Sequence, residues 1–284
     1  MKARLVDGLV LSLLFALSPV WADETSSRAN NEIPFELREG FLIVVEGRIA
    51  SLKGLKFVLD TGTSYSVVDR KVAEKLTLGR RPGRTFNFDK FVAVEWADFS
   101  EVEFGPIKAH NPSLMVGDLV NSSKIHGRAD AIIGLDLLCA CRQLLIDYET
   151  RRVIFRANTN ASNTSSPRCP PFLTMNVLVQ GHSLRLIVDT GMGGILLYED
   201  RLRKQVPNLR LENEKSGVQV GYLRGMQAKL PGVWFGTSES EPTVFLIKGT
   251  SKDPVGMDGY LGTRALKAQQ IEFNFETNTL AWKE

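Results

Sequence analysis

Two apolar runs in this chain end on the same three residues. Phe57, Val58 and Leu59 lead into Asp60-Thr61-Gly62, and Leu186, Ile187 and Val188 lead into Asp189-Thr190-Gly191. A continuous apolar run that stops at a carboxylate is the pattern of a buried strand delivering an acid to a protected place. The glycine two positions on lets the chain turn and approach a neighbour closely. Around the first run, FLIVVEGRIA predicts a strand, Ser51–Gly54 a turn, and the next strand runs into Asp60. Asp69 is a good N-cap, and Val72 and Leu76 stand at helical spacing, so a short helix is predicted from about Arg70 to Leu76. Strand-like stretches follow at Phe86–Val94 and Phe99–Phe104, with Gly105 turning the chain. Then come DAIIGLDLL, where Ile132 and Ile133 precede Gly134, and a strand pair, LLIDYETRRVIF, turning at Glu149-Thr150-Arg151.

The second half repeats the first. Asp60 to Gly134 spans 134 − 60 = 74 positions, and Asp189 to Gly262 spans 262 − 189 = 73. Asp130 and Asp258 each stand four residues before their glycine. FSEVEFG is echoed by LPGVWFG, IDYETRRVIF by FNFETNTLAW, and VVDRKV by LYEDRL. Landmarks in the same order at nearly equal spacing predict a duplicated domain. Between the copies, NTNASNTSSPRCPP is too polar and proline-rich to build a core and reads as an exposed linker. The expected divisions are an N-terminal lobe over 32–157, a linker over 158–169 and a C-terminal lobe over 170–284.

Composition narrows the setting. The 284 residues are 43% apolar and 24% charged, which is ordinary for a globular chain and excludes a disordered one. A net charge of +3, with no basic run interleaved with aromatics, argues against nucleic acid. Lys2 and Arg4, the apolar GLVLSLLFALSPV and Ala22 fit a signal peptide over 1–22, followed by a loose polar arm over 23–31. The chain is therefore expected in the periplasm or outside the cell, with membrane contact only if that first segment is retained. Cys139, Cys141 and Cys169 are too few for a disulfide scaffold; one bridge from Cys139 or Cys141 to Cys169 and a buried free thiol both fit. His110, His126 and His182 are scattered without metal spacing, so no metal is expected.

One Asp-Thr-Gly triplet arises by chance in about one chain in twenty of this length. Two, each followed some seventy residues on by an apolar-apolar-glycine segment, resemble the aspartic peptidases of the pepsin and retropepsin clan, and in particular the exported bacterial single-chain forms. That resemblance implies an all-β fold of two retropepsin-like β-barrel lobes from an internal duplication, related by a pseudo-twofold axis, with a few short helices. It implies that Asp60 and Asp189 face each other and share one proton, since two carboxylates at hydrogen-bonding distance do not both ionise readily. The ionised member would activate a water, and the protonated member would polarise the scissile carbonyl. Thr61 and Thr190 would bond across the lobe interface, Gly62 and Gly191 would let amides approach the carboxylates, and Gly134 and Gly262 would support the loops from beneath.

The resemblance implies an extended polypeptide as substrate, a monomer, and no cofactor. Thr63 and Ser64 after the first triplet offer a hydroxyl to the outer oxygen of Asp60, whereas Met192 and Gly193 offer none to Asp189. Losing a donor to the ionised form raises an acid's pKa, so an optimum at mildly acidic to near-neutral pH is expected. One flap hairpin falls in Arg81–Trp96 with Phe86, Phe88 or Phe91 at its tip, and its counterpart in 216–226 with Tyr222 near the tip; Phe88 and Tyr222 are the candidate substrate contacts. Asp130 and Asp258 read as turn caps, Asp136 as a helix start, and Arg80, Arg81 and Arg84 as a solvated loop. The alternative is a catalytically silent module on the same fold that binds peptides or acts as a scaffold. An exported β-rich structural protein would explain neither triplet.

Overall fold

A computed structural model describes residues 31–76, 78–88, 90–119, 129–156, 172–220, 223–249 and 256–284. The described chain is mostly strand, arranged in three sheets. One belongs to each half, and the third joins the halves.

The N-lobe sheet runs, neighbour to neighbour, through Arg80–Asn87, Lys90–Asp98, Ser113–Gly117, Val67–Asp69, Ala131–Ile133, Leu52–Leu59, Leu42–Ile49, Glu101–Phe104 and Ile107–His110. Glu36–Arg38 pairs onto Leu42–Ile49 beside this path. The C-lobe sheet runs through Glu212–Val220, Leu223–Lys229, Thr243–Ile247, Ile195–Tyr198, Gly259–Gly262, His182–Asp189, Thr174–Val179, Val233–Phe235 and Ser238–Ser240. The two orders correspond strand for strand. The parallel pairs correspond as well, Val58 opposite Ile132 in one lobe and Ile187 opposite Tyr260 in the other. These curled sheets are consistent with the β-barrel lobes that the resemblance implies.

The third sheet sets the lobes side by side. Its order is Glu32–Pro34, Arg152–Arg156, Gln143–Asp147, Gln270–Asn274 and Thr279–Lys283. The central pair is antiparallel across the halves, with Leu144 opposite Phe273 and Ile146 opposite Ile271, all four fully buried. Each hairpin turns by the same device: Asp147 Oδ1 accepts from the amides of Glu149 and Thr150, and Asn274 Oδ1 from those of Glu276 and Thr277. A side chain that satisfies two turn amides fixes where the strand reverses. A single apolar core then runs through both lobes, and Phe57, Leu59, Ile133, Val188 and Leu261 lie in it beneath the triplets.

Several local expectations hold and several move. The helix is Arg70–Lys75, and its N-cap Asp69 accepts from the Lys71 amide at 2.9 Å. The turn before the Asp60 strand falls at Ala50–Ser51, because Leu52 already pairs with Ile49. Phe86–Val94 is not one strand: the hairpin of Arg80–Asn87 and Lys90–Asp98 reverses inside it, with Phe88 at φ +48°. Arg80, Arg81 and Arg84 lie on that hairpin and not on a loop, and Arg80 and Arg81 are ion-paired there. The linker, the signal segment, Cys169, His126 and Tyr222 lie outside the described residues. No helix among the described residues is long and apolar enough to cross a membrane.

Candidate active site

The strand Leu52–Leu59 carries Asp60 out of the core, and His182–Asp189 does the same for Asp189. Both strands are pinned four residues before the acid. Asp130 Oδ2 accepts from the Lys56 amide at 2.8 Å, and Asp258 Oδ2 accepts from the Arg185 amide at 2.8 Å. Each pinning residue also donates its own amide back, to the Lys56 and Arg185 carbonyls. Asp130 and Asp258 are thus structural, as expected, but they fasten the neighbouring strand and do not cap their own turn.

Beyond the strands, the two triplets interlock. The Thr61 amide donates to Thr190 Oγ1 at 3.1 Å, and the Thr190 amide to Thr61 Oγ1 at 3.2 Å. Each hydroxyl then donates across the interface, Thr61 to the Val188 carbonyl at 2.8 Å and Thr190 to the Leu59 carbonyl at 2.7 Å. Both threonines are fully buried, so all four bonds act out of reach of water. The amides of Gly62 and Gly191 close onto the carboxylates of their own loops, at 2.8 Å to Asp60 Oδ1 and 2.7 Å to Asp189 Oδ1.

The glycines do something further. A Cβ on Gly62 would lie 2.2 Å from Asp189 Cγ, and one on Gly191 would lie 2.6 Å from Asp60 Cγ. Each carboxylate therefore occupies the space that a side chain on the opposite loop would fill. Only glycine at both positions lets the two acids meet. Beneath the loops, a Cβ on Gly134 would press to within 3.0 Å of the Thr63 carbonyl oxygen, and one on Gly262 within 2.3 Å of the Met192 carbonyl oxygen. Gly134 and Gly262 thus lie where the backbones of the two acid loops pass closest.

Asp60 and Asp189 are both buried and their side chains are hydrogen-bonded to each other. Burial foremost, then the charge of Asp60, holds the Asp189 carboxyl well above the usual carboxylate range, against the lowering effect of the Gly191 amide. The direction matches the expectation from Met192, but the chief cause is desolvation. Thr63 also departs from its expected role. Its hydroxyl donates to the Tyr65 carbonyl at 3.3 Å and not to Asp60.

The N-lobe loop has a brace that the sequence reading passed over. Ser66 Oγ donates to Asp136 at 2.6 Å and accepts from the Gly134 amide at 2.9 Å, while the Ser66 amide donates to both Asp136 oxygens at 3.0 Å. Asp136 is in the first turn of the helix Leu135–Leu138, as expected, and burial pushes its carboxyl up. The signal was in the sequence as an acid present in one copy only. In the C-lobe, Ile195 and Arg264 stand at the corresponding positions, and the Gly262 amide donates to the Gly194 carbonyl at 2.8 Å. Tyr65, exposed beside the Asp60 loop with its ring edge against Trp96 at 5.2 Å, was also not anticipated.

The hairpin tip closes over the C-lobe. The Tyr198 hydroxyl donates to the Phe88 carbonyl at 2.8 Å, and the Phe88 ring lies 5.0 Å from that of Tyr260. Phe88 packs with Met192, Leu196 and Ile247 in a small cluster separate from the main core. Cys139 is disulfide-bonded and Cys141 is a free, buried thiol. Among the described residues no group of His, Cys, Asp and Glu is arranged to hold a metal.

A search of curated proteins finds no match to this chain. Residues 45–137 match the aspartyl protease family. That segment holds Asp60, its triplet, the hairpin and Gly134, and it is similar to the aspartyl proteases of the retropepsin type.

Proposed function

We propose that this chain is an exported, monomeric aspartic endopeptidase whose catalytic pair is Asp60 and Asp189, one from each half of an internal duplication. The observation that carries the reading is the mutual fit of the triplets, in which each glycine leaves room for the opposite carboxylate. In this reading Asp189, whose carboxyl is held above the usual range, carries the shared proton, and Asp60 is the ionised member. A water between them attacks the scissile carbonyl carbon and gives its proton to Asp60. Asp189 gives its proton to the carbonyl oxygen, forming a tetrahedral diol. As the C–N bond breaks, the proton on Asp60 passes to the leaving nitrogen and the diol returns one to Asp189. No covalent intermediate and no cofactor are required.

The substrate lies extended beneath the N-lobe hairpin, where backbone hydrogen bonds give affinity and alternate side chains find pockets. In this reading residues 1–22 direct export and are removed, 23–31 are an N-terminal arm, and 158–169 link the lobes. The pH optimum is mildly acidic to near neutral, because one carboxyl keeps its proton well above the ordinary range.

A silent peptide-binding module draws support from one feature. The Phe88 tip is seated on the C-lobe cluster and tied there by Tyr198, so the hairpin covers the cleft. Digestion of an unfolded polypeptide, scanned from acidic to mildly alkaline pH, separates the two readings. Cleavage that Asp60→Asn and Asp189→Asn each abolish supports the peptidase; well-folded protein that cuts nothing at any pH supports the silent module. A maximum at strongly acidic pH would overturn the pH reading.

A further inference from the structure

Some of the positive charge around the N-lobe hairpin is neutralised by carboxylates and some is not. On the N-lobe hairpin Glu95 pairs with Arg80 at 3.3 Å and with Arg70 of the neighbouring helix at 2.7 Å, and Arg81 pairs with Asp98 at 3.1 Å. Lys90 of the same hairpin, with Arg224 and Lys248 of the C-lobe, lines one cleft of about 660 Å³. Lys90 comes from beside the N-lobe hairpin tip, Arg224 from the C-lobe hairpin, and Lys248 from the end of the strand Thr243–Ile247. Among the described residues none of these three has an ion-pair partner. The one acid in the lining, Glu199, is held by Arg203 at 2.9 Å.

The rest of the wall decides what such a cleft takes. Leu223, Met226, Leu246 and Ile247 supply apolar surface, so the cleft suits an anion carried on an organic chain better than a free ion. Leu223 and Ile247 also belong to the cluster beneath the hairpin tip with Phe88 and Met192, and Met192 follows the Asp189 triplet directly. The cleft therefore borders the apolar cluster that packs against the end of the Asp189 loop. Three cations that converge from three elements raise the local concentration of a carboxylate and favour it on arrival.

We propose that this cleft is a subsite for a carboxylate borne by the peptide, so that the protein selects polypeptides with an acidic side chain, or a free C-terminus, to one side of the bond cleaved. The inference rests on the peptidase reading for the word "cleaved", but not for the binding itself. Binding is measured with the full chain carrying Asp60→Asn, by fluorescence anisotropy with three labelled peptides of otherwise identical sequence. One has an internal Asp and an amidated end, the second Asn and an amidated end, the third Asn and a free C-terminal carboxylate.

An acid-bearing peptide should bind about tenfold more tightly than the neutral one at low ionic strength. The advantage should shrink toward unity at about 0.5 M salt and in the Arg224→Gln, Lys248→Gln double variant. Whichever acid-bearing peptide shows the gain identifies the source of the carboxylate. Equal affinity for all three, an advantage unchanged in the double variant, or no measurable binding would overturn the proposal. If the acidic preference holds while unsubstituted protein cleaves none of the three, the peptidase reading fails and the subsite stands.

Discussion

The two lobes share a strand order and a triplet, yet they hold their acids by different means. In the N-lobe, Gly134 is fastened through a side-chain network of Ser66 and Asp136. In the C-lobe, the equivalent Gly262 is fastened by the backbone alone, through Gly194, and Ile195 and Met192 make the surroundings apolar. What the lobes share is what brings two carboxylates together: threonines that cross, glycines that make room, and strands pinned four residues below. What they do not share is the side-chain brace behind one acid loop and the hairpin tip that reaches across the cleft. Similar backbones with unequal surroundings are how two like groups come to play unlike parts.

The largest test of this comparison is on the shared features. Gly62→Ala and Gly191→Ala should each cut cleavage by about a hundredfold or more, since the added methyl meets the opposite carboxylate at 2.2 or 2.6 Å. If one variant keeps its activity, the acids do not depend on each other. Next come Thr61→Val and Thr190→Val. Each removes a buried hydroxyl that donates one bond and accepts another across the interface, so a loss of about 2–4 kcal/mol in unfolding free energy is expected for each. The double variant should lose less than the sum, because the bonds are mutual.

Ser66→Ala probes the unshared brace. It leaves the Gly134 amide and the Asp136 carboxylate each short of a partner and should cost about 1–3 kcal/mol. The turnover number should fall with little change in KM, since the loop that aims Asp60 loosens while the substrate walls stay.

Smaller still is a pH effect on stability. The folded pKa of Asp189 is raised above its unfolded value, so its contribution favours the folded state fully at pH below the unfolded pKa and is lost as pH rises through the folded one. Asp189→Asn should therefore raise the melting temperature at neutral pH and change it little in acid. No rise at neutral pH would show that Asp189 carries no such burden. The smallest effect is at Cys141, whose thiol burial pushes up to about 12. In the folded protein at pH 8 it should resist thiol reagents and react only on unfolding.

The sequence reached far into this structure because the strongest signals were local and repeated. Apolar runs ending in Asp60 and Asp189, and apolar pairs ending in Gly134 and Gly262, are side-chain patterns with an obvious burial direction, and the strands lie where those runs place them. Asp69 announced its helix by the same kind of local chemistry. The failures came where the deciding partner is distant along the chain. Adjacency along the chain points the Thr63 hydroxyl at Asp60, whereas in the fold it donates to the Tyr65 carbonyl. Local spacing makes Asp130 and Asp258 caps of their own turns, while their carboxylates serve amides on strands more than seventy residues earlier. Ser66 gave no signal alone, since its meaning depends on Asp136. The hairpin tip was visible only as three candidate phenylalanines, because which one lies at the reversal is set by strand register.

One measurement goes straight to the claim that a single proton is shared across the interface. Carboxyl carbons of the aspartates can be followed by NMR through a pH titration of the unsubstituted protein and of Asp60→Asn. In the unsubstituted protein one of the two carboxyls should keep its proton well above the ordinary aspartate value of about 3.9. In Asp60→Asn the pKa of Asp189 should fall, because the facing charge is gone, and remain above that ordinary value, because the burial is not. Two carboxyls that both ionise in the ordinary range, with Asp189 indifferent to the substitution, would contradict the account.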